Sequence, residues 1–217
     1  MDFGSKVILQ EAVRNNEYWR LRDADGAPPG LIGWWPERAV TFIENHDTGF
    51  ECSGQGHWSF PPGREEVGYA YIMTHPGVPT VFFPHVYGCK PEGSGGGGGD
   101  SGSCAPAELR DTIIALLAAR RGTGVGAGSR VEILCAEADL YFARVEGDRG
   151  SLCVKLGPRY DIGDLEPRTS PEEQVDLVTS GEGFAVWAVR AAGAAPRAAP
   201  SGAAPAEPAG AEEPASS

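Results

Sequence analysis

The chain has 217 residues, enough for one large or two small domains, and 41% of them are hydrophobic. Lys and Arg number 18 against 30 Asp and Glu, a formal charge of −12. That balance argues against non-specific binding to nucleic acid or to an anionic membrane, because both need a basic face. The five cysteines (Cys52, Cys89, Cys104, Cys135 and Cys153) are scattered and form no CxxC pair. They make a poor disulfide framework and a poor zinc site, and read as free thiols in a reducing compartment. No apolar run approaches the length of a membrane-spanning helix. No signal peptide is expected, since Met1-Asp2-Phe3-Gly4 is followed at once by Ser5-Lys6.

Taken in order, Lys6 to Tyr18 carries Val7, Ile8, Leu9, Ala12 and Val13 at helical spacing, which predicts a short amphipathic helix. Arg20 to Leu31 is turn-rich, with Asp25-Gly26 and Pro28-Pro29-Gly30. Ala39-Val40-Thr41-Phe42-Ile43 is an apolar, β-branched run that fits a strand buried on both faces, as in a parallel sheet. It stops abruptly at Glu44-Asn45-His46-Asp47. Buried polar groups are costly without partners, so these four residues are best placed at the carboxyl end of a parallel strand, facing a cleft. That is where α/β barrels keep their chemistry. Read locally, the same residues also fit a plain polar loop with Thr48-Gly49 as its turn.

A long loop, Thr48 to Gly63, follows. Arg64 to Thr74, with Val67, Tyr69, Ala70, Ile72 and Met73, reads as a short helix, and Pro79-Thr80-Val81-Phe82-Phe83 as a second strand. Strand, helix and strand in this length form a βαβ unit. Residues 91–105 hold a glycine run and serines, and read as a flexible insertion with no chemistry. Ala107 to Arg121 is a helix: Pro106 lies at its start, Leu109, Ile113, Leu116 and Leu117 form its stripe, and Gly122 stops it.

From Ser129 the period changes. Val131–Leu134, Leu140–Val145, Leu152–Leu156 and Phe184–Trp187 are short strand candidates separated by glycines, which predicts an antiparallel sheet of about four or five strands. Residues 191–217 are mostly Ala, Pro, Gly and Glu, and are expected to be disordered. The fold class is therefore α/β plus all-β. The α/β part covers 1–123 with its insertion at 91–105, the sheet part 124–190 and the tail 191–217.

The motifs around the polar cluster carry a family resemblance. Asp2-Phe3, Lys6, Ile8-Leu9-Gln10, Trp19-Arg20-Leu21, Pro28 through Pro36 with its Gly33-Trp34-Trp35-Pro36, and Phe42-Ile43-Glu44-Asn45-His46-Asp47 resemble the plant-type α-amylases in that order. So do His57-Trp58-Ser59-Phe60-Pro61, Gly68-Tyr69-Ala70-Tyr71-Ile72, and Val154-Lys155-Leu156-Gly157-Pro158-Arg159-Tyr160-Asp161 in the later region. The resemblance runs from about residue 2 to residue 190, apart from the insertion. It implies the C-terminal part of a (β/α)8 barrel, starting inside its sixth βα unit, and then a small C-terminal sheet domain. A chain that starts there is expected to be truncated.

The resemblance also implies chemistry. Retaining glycosidases set a carboxylate nucleophile and a carboxylic acid about 5 Å apart across the scissile bond. The α-amylase family adds a third carboxylate after its seventh strand, which stabilises the oxocarbenium-like transition state, and Asp47 matches it. His46 matches the histidine that hydrogen-bonds the same sugar. Asn45, Trp58 and Tyr160 are the further substrate-binding candidates, Trp58 and Tyr160 as rings that stack on glucan. Packing roles for Trp58 and Tyr160 are the alternatives. Arg38 and Glu44 read as structural. At the end of the second strand the family has Tyr-Asp-His where this chain has Phe83-Pro84-His85, so a supporting hydrogen bond is in doubt.

Nothing in the chain corresponds to the strands that carry the family's nucleophile and acid. The implied calcium has no ligand here. The partner implied is an α-glucan such as starch, which suits the acidic balance; a monomer is expected, in the cytoplasm or a plastid rather than secreted. Alone, the chain is expected not to hydrolyse starch, because two carboxylates are missing and so few units cannot close a barrel. The run 39–43 is expected to present an open apolar edge. The competing readings are a non-catalytic paralogue that binds glucan or a protein partner, and a gene fragment with no function of its own.

Overall fold

A computed structural model describes residues 1–49, 58–88 and 107–193. The expectations made for residues 91–105, for 194–217 and for the loop 50–57 fall outside these residues.

Helix α1 (Phe3–Asn15) starts earlier than its apolar spacing suggests, because Asp2 caps it. The Asp2 carboxylate accepts from the Ser5 N–H at 2.9 Å and the Ser5 hydroxyl at 2.5 Å, and also from the Ile32 N–H at 3.0 Å. One side chain thus starts α1 and anchors α2 (Leu31–Trp34), a single turn inside a stretch that reads as turn-rich. Asn16 ends α1 in the left-handed region, at φ 52°.

Strand β1 (Val40–Thr41) pairs in parallel with β2 (Val78–Pro79), in the register Val40–Val78 and Thr41–Pro79. Between them runs α3 (Glu65–Thr74), so the βαβ unit is present. Both strands are shorter than their apolar runs, 39–43 and 79–83. Among the described residues β1 and β2 are each other's only strand neighbours, and a strand lasts only as long as its ladder. The far edge of β1 is not wholly open: the Asp2 N–H donates to Val40 O at 2.8 Å. After β2 the chain turns into a short helix, α4 (Pro84–Tyr87).

Helix α5 (Ala107–Thr123) runs two residues past its expected end and is followed by Gly124, at φ 76°. Five strands follow: β3 (Val131–Ala136), β4 (Tyr141–Gly147), β5 (Gly150–Leu156), β6 (Glu173–Gly181) and β7 (Phe184–Ala191). They form one antiparallel sheet in the order β3-β4-β5-β7-β6. The two outer pairings carry register shifts, at Ile133/Cys135 and at Leu177/Thr179, and the inner pairings are regular.

The two parts share one core. Helix α3 is buried from Val67 through Thr74, so it is apolar all round rather than amphipathic. It lies between α1, α5 and the inner face of the sheet. Leu9, Ile43, Phe60, Tyr69, Ile72, Ile113, Leu116, Tyr141, Val154 and Phe184 belong to a single cluster. The Arg120 guanidinium crosses from α5 and donates to the carbonyls of Met73 (2.9 Å), His75 (2.6 Å) and Gly77 (2.8 Å), which closes the end of α3.

Candidate active site

The turn after β1 is built by Asn45. Its side-chain oxygen accepts from the Asp47 N–H and the Thr48 N–H, both at 3.0 Å, and from the Thr48 hydroxyl at 3.1 Å. The Thr48 hydroxyl in turn accepts from the Asn45 N–H at 3.0 Å. This is a closed Asx-type turn. It lifts His46 and Asp47 out of the core at the carboxyl end of β1, where their side chains are 88% and 72% exposed and lie 3.3 Å apart. Asn45 therefore shapes the turn with its oxygen, and its amide nitrogen faces the Met1 sulfur at 3.9 Å.

Beneath the turn lies a buried polar chain. Glu44 accepts from the Phe60 N–H at 2.9 Å and meets His85 Nε2 at 3.1 Å. His85 Nδ1 lies 2.8 Å from the Tyr69 hydroxyl, which accepts from the Phe82 N–H at 3.2 Å. Burial pushes the Tyr69 phenol well up, so it keeps its hydrogen. Burial also raises the Glu65 carboxyl nearby. In the structural role expected of it, Glu44 ties the end of β1 to the segment after β2.

Trp58 stands next to this turn: the Ser59 hydroxyl donates to Thr48 O at 2.9 Å. Its backbone is in the left-handed region, at φ 71°, and its side chain is partly exposed. The Lys6 ammonium lies 4.6 Å from its ring centroid and donates to its carbonyl at 2.9 Å. The structure thus sets Asn45, His46 and Asp47 in one turn, with Trp58 next in the chain to Ser59, which bonds that turn. Tyr160 belongs to the sheet part, follows β5, is 82% exposed and has the Lys155 ammonium 5.5 Å from its ring centroid. Lys6 is the residue that sequence reasoning missed. Besides Gln10 on its own helix, its partner is 52 positions away, and no local signal marks a helical lysine as buried. Trp34 and Trp35 are also exposed, with the Arg38 guanidinium over the Trp35 ring at 5.3 Å.

Among the described residues, no group of three or more His, Cys, Asp or Glu side chains is placed to hold a metal ion. Among the described residues no side-chain cluster therefore fits a calcium ion, and no chemistry here runs through one. No helix among them is long and apolar enough to cross a membrane.

A parallel βαβ unit with a His-Asp turn after its first strand thus packs on a five-stranded antiparallel sheet. Residues 122–188 match the family described as alpha-amylase C-terminal beta-sheet domain. The chain is 45% identical to "Probable alpha-amylase 2" of Arabidopsis thaliana, over 86% of this chain and 38% of that protein. It is 40% identical to "Alpha-amylase 3, chloroplastic" of Arabidopsis thaliana, over 86% of this chain and 18% of that protein. With "Alpha-amylase type B isozyme" of Hordeum vulgare it shares 40% identity over 83% of this chain and 98% of that sequence. Among solved structures, the cyclomaltodextrin glucanotransferase CldA superposes with a TM-score of 0.52 at 14% identity, covering 87% of this chain and 44% of that one.

The chain belongs to the α-amylase family, and it corresponds to the C-terminal part of the plant-type members. It spans well under half the length of the two Arabidopsis relatives.

Proposed function

We propose that this chain is the C-terminal part of an α-glucan hydrolase that cleaves internal α-1,4 bonds of starch with retention. Asp47 is its transition-state-stabilising carboxylate, and His46 hydrogen-bonds the sugar at the cleavage point. The observation that carries this reading is the Asn45-capped turn. It holds the two side chains adjacent and outward at the carboxyl end of a parallel strand. A fixed negative charge beside developing positive charge acts through electrostatic preorganisation. Trp58 supplies a stacking surface at the same site. The nucleophile and the acid are absent from this chain, which is inactive alone. Calcium, if the whole enzyme uses it, is held elsewhere, and a plastid or the cytoplasm is the compartment, in keeping with the relative named chloroplastic.

The test is a graft of residues 2–190 in place of the matching segment of the Arabidopsis relative. The graft should cleave starch, and Asp47→Asn in it should lower kcat by on the order of 10²–10³-fold. An active graft indifferent to Asp47→Asn would refute the assignment. Starch cleavage by the purified chain alone, lost on Asp47→Asn, would refute its inactivity.

A second reading, glucan binding without catalysis, is favoured by the exposed Tyr160 ring beside Lys155. Loss of starch pull-down by Tyr160→Ala in the chain alone would support it.

A further inference from the structure

Three successive residues beside the candidate site are tied to three different elements. Ser59 is held by the Asp47 turn and Phe60 by Glu44, through the bonds given above. Trp58 is held by Lys6 on α1, a lysine that is only 1% exposed. Its ammonium donates to Trp58 O at 2.9 Å and to Gln10 Oε1 at 2.5 Å, and lies over the indole.

This arrangement is expensive as mere packing. A buried ammonium loses its hydration. Gln10, itself fully buried, turns its oxygen to Lys6 and leaves its own Nε2 without a partner. A tryptophan at positive φ adds backbone strain of order 1–3 kcal/mol. An apolar side chain at position 6 would avoid the first two costs. What the lysine adds is a fixed Trp58: its ammonium satisfies the carbonyl and faces the ring, while the indole keeps an exposed surface one residue from Ser59, which bonds the Asp47 turn.

We propose that Lys6 is a positioning residue of the glucan site, fixing the Trp58 indole as the surface on which a glucosyl ring stacks beside His46 and Asp47. This rests on the reading of Trp58 as a glucan contact. Lys6 does not touch the sugar and acts through Trp58.

The charges facing the ammonium are few. Burial lowers its pKa from 10.5 to about 8; Glu44, at the end of β1, opposes the drop and Arg14, on α1, adds to it. Asp2 lines the same narrow space, but its carboxylate is taken up by Ser5 and Ile32. The hold on Trp58 should therefore weaken as pH rises through about 8.

The test is ¹⁹F NMR of the 217-residue chain labelled with 5-fluorotryptophan, the Trp58 resonance being assigned by its loss in Trp58→Phe. In the unsubstituted chain that resonance should shift with a midpoint near pH 8. In Lys6→Gln it should be displaced and insensitive to pH; in Lys6→Arg it should hold its low-pH position through pH 9.5. Maltoheptaose titrated on the same resonance should bind about fivefold more weakly at pH 9 than at pH 7, more weakly at both pH values in Lys6→Gln, and equally well at both in Lys6→Arg. A Trp58 resonance that moves with maltoheptaose but not with pH or with Lys6→Gln overturns the role of Lys6. A resonance that follows Lys6 and ignores maltoheptaose overturns the proposal through its glucan premise. Should Lys6→Gln fail to fold, the titration of the unsubstituted chain decides alone.

Discussion

The Tyr141 hydroxyl donates to His75 Nε2 at 2.7 Å, and this bond joins β4 of the sheet to the residue that closes α3. The direction follows from the other ring nitrogen. His75 Nδ1 lies 2.9 Å from Tyr71 O, which only accepts, so Nδ1 carries the hydrogen and Nε2 receives one. Tyr141→Phe should leave Nε2 buried and unpartnered and destabilise the chain by about 1–3 kcal/mol in urea unfolding. A midpoint equal to that of the unsubstituted chain would count against the bond.

The same histidine makes stability depend on pH. Burial, chiefly, holds the folded His75 pKa down at about 3, against an ordinary 6.5. A depressed folded value means that its contribution is fully present above pH 6.5 and is lost as pH falls toward 3. The full shift corresponds to roughly 4–5 kcal/mol. His75→Gln should flatten the curve of unfolding free energy between pH 6.5 and 4. Parallel curves for the two proteins would contradict the assignment.

Arg120 is the clamp at the end of α3. Arg120→Met should remove all three donors and leave buried carbonyls at Met73, His75 and Gly77, a loss of about 3 kcal/mol or more. Arg120→Lys should lose less but stay well below the arginine, because an ammonium cannot reproduce the planar fork. Equal urea midpoints for the Met variant and the unsubstituted chain would sink this account.

Asn45 holds the turn through its side-chain oxygen and its backbone carbonyl, and the Asp47 amide depends on the side chain. Asn45→Ala should release the Asp47 amide and speed its hydrogen exchange about tenfold, while Asn45→Asp, which keeps an acceptor, should preserve protection. Unchanged exchange in the Ala variant would show the turn to be held otherwise.

Two glycines make a matched pair. A Cβ on Gly33 would sit 1.8 Å from Pro28 O, so Gly33→Ala must displace backbone beneath Trp34 and Trp35, costing about 2–3 kcal/mol or more. A Cβ on Gly126 meets nothing within 4 Å, and Gly126→Ala should be neutral or slightly stabilising. The thermal midpoints should separate the two cleanly.

How much was legible depends on how local the signal is. The helix at 107 shows in its stripe, and only its end moves, because buried Thr123 turns its hydroxyl back to Ala119 O and stays in the helix. The His-Asp turn is legible as polar residues after an apolar run, but the part Asn45 plays in building it shows only once its side-chain oxygen is followed. Strand β6 escapes notice: Glu173-Gln174-Val175-Asp176-Leu177 is mixed in polarity, and the shift at Leu177/Thr179 breaks the alternation that would mark it. Lys6 escapes because Trp58, the partner that matters at the turn, lies 52 residues away, and Arg120 because its partners lie 43–47 residues away.

The register shifts of the sheet fall on its two margins and spare its centre. A strand from another molecule arriving at β3 or β6 would meet a bent template whose exposed hydrogen-bonding groups are out of step. At β6 it would also meet Glu173 and Asp176, already engaged by Arg144 and Arg190. The sheet is thereby self-terminating: two copies brought side by side would not extend it into a continuous ladder.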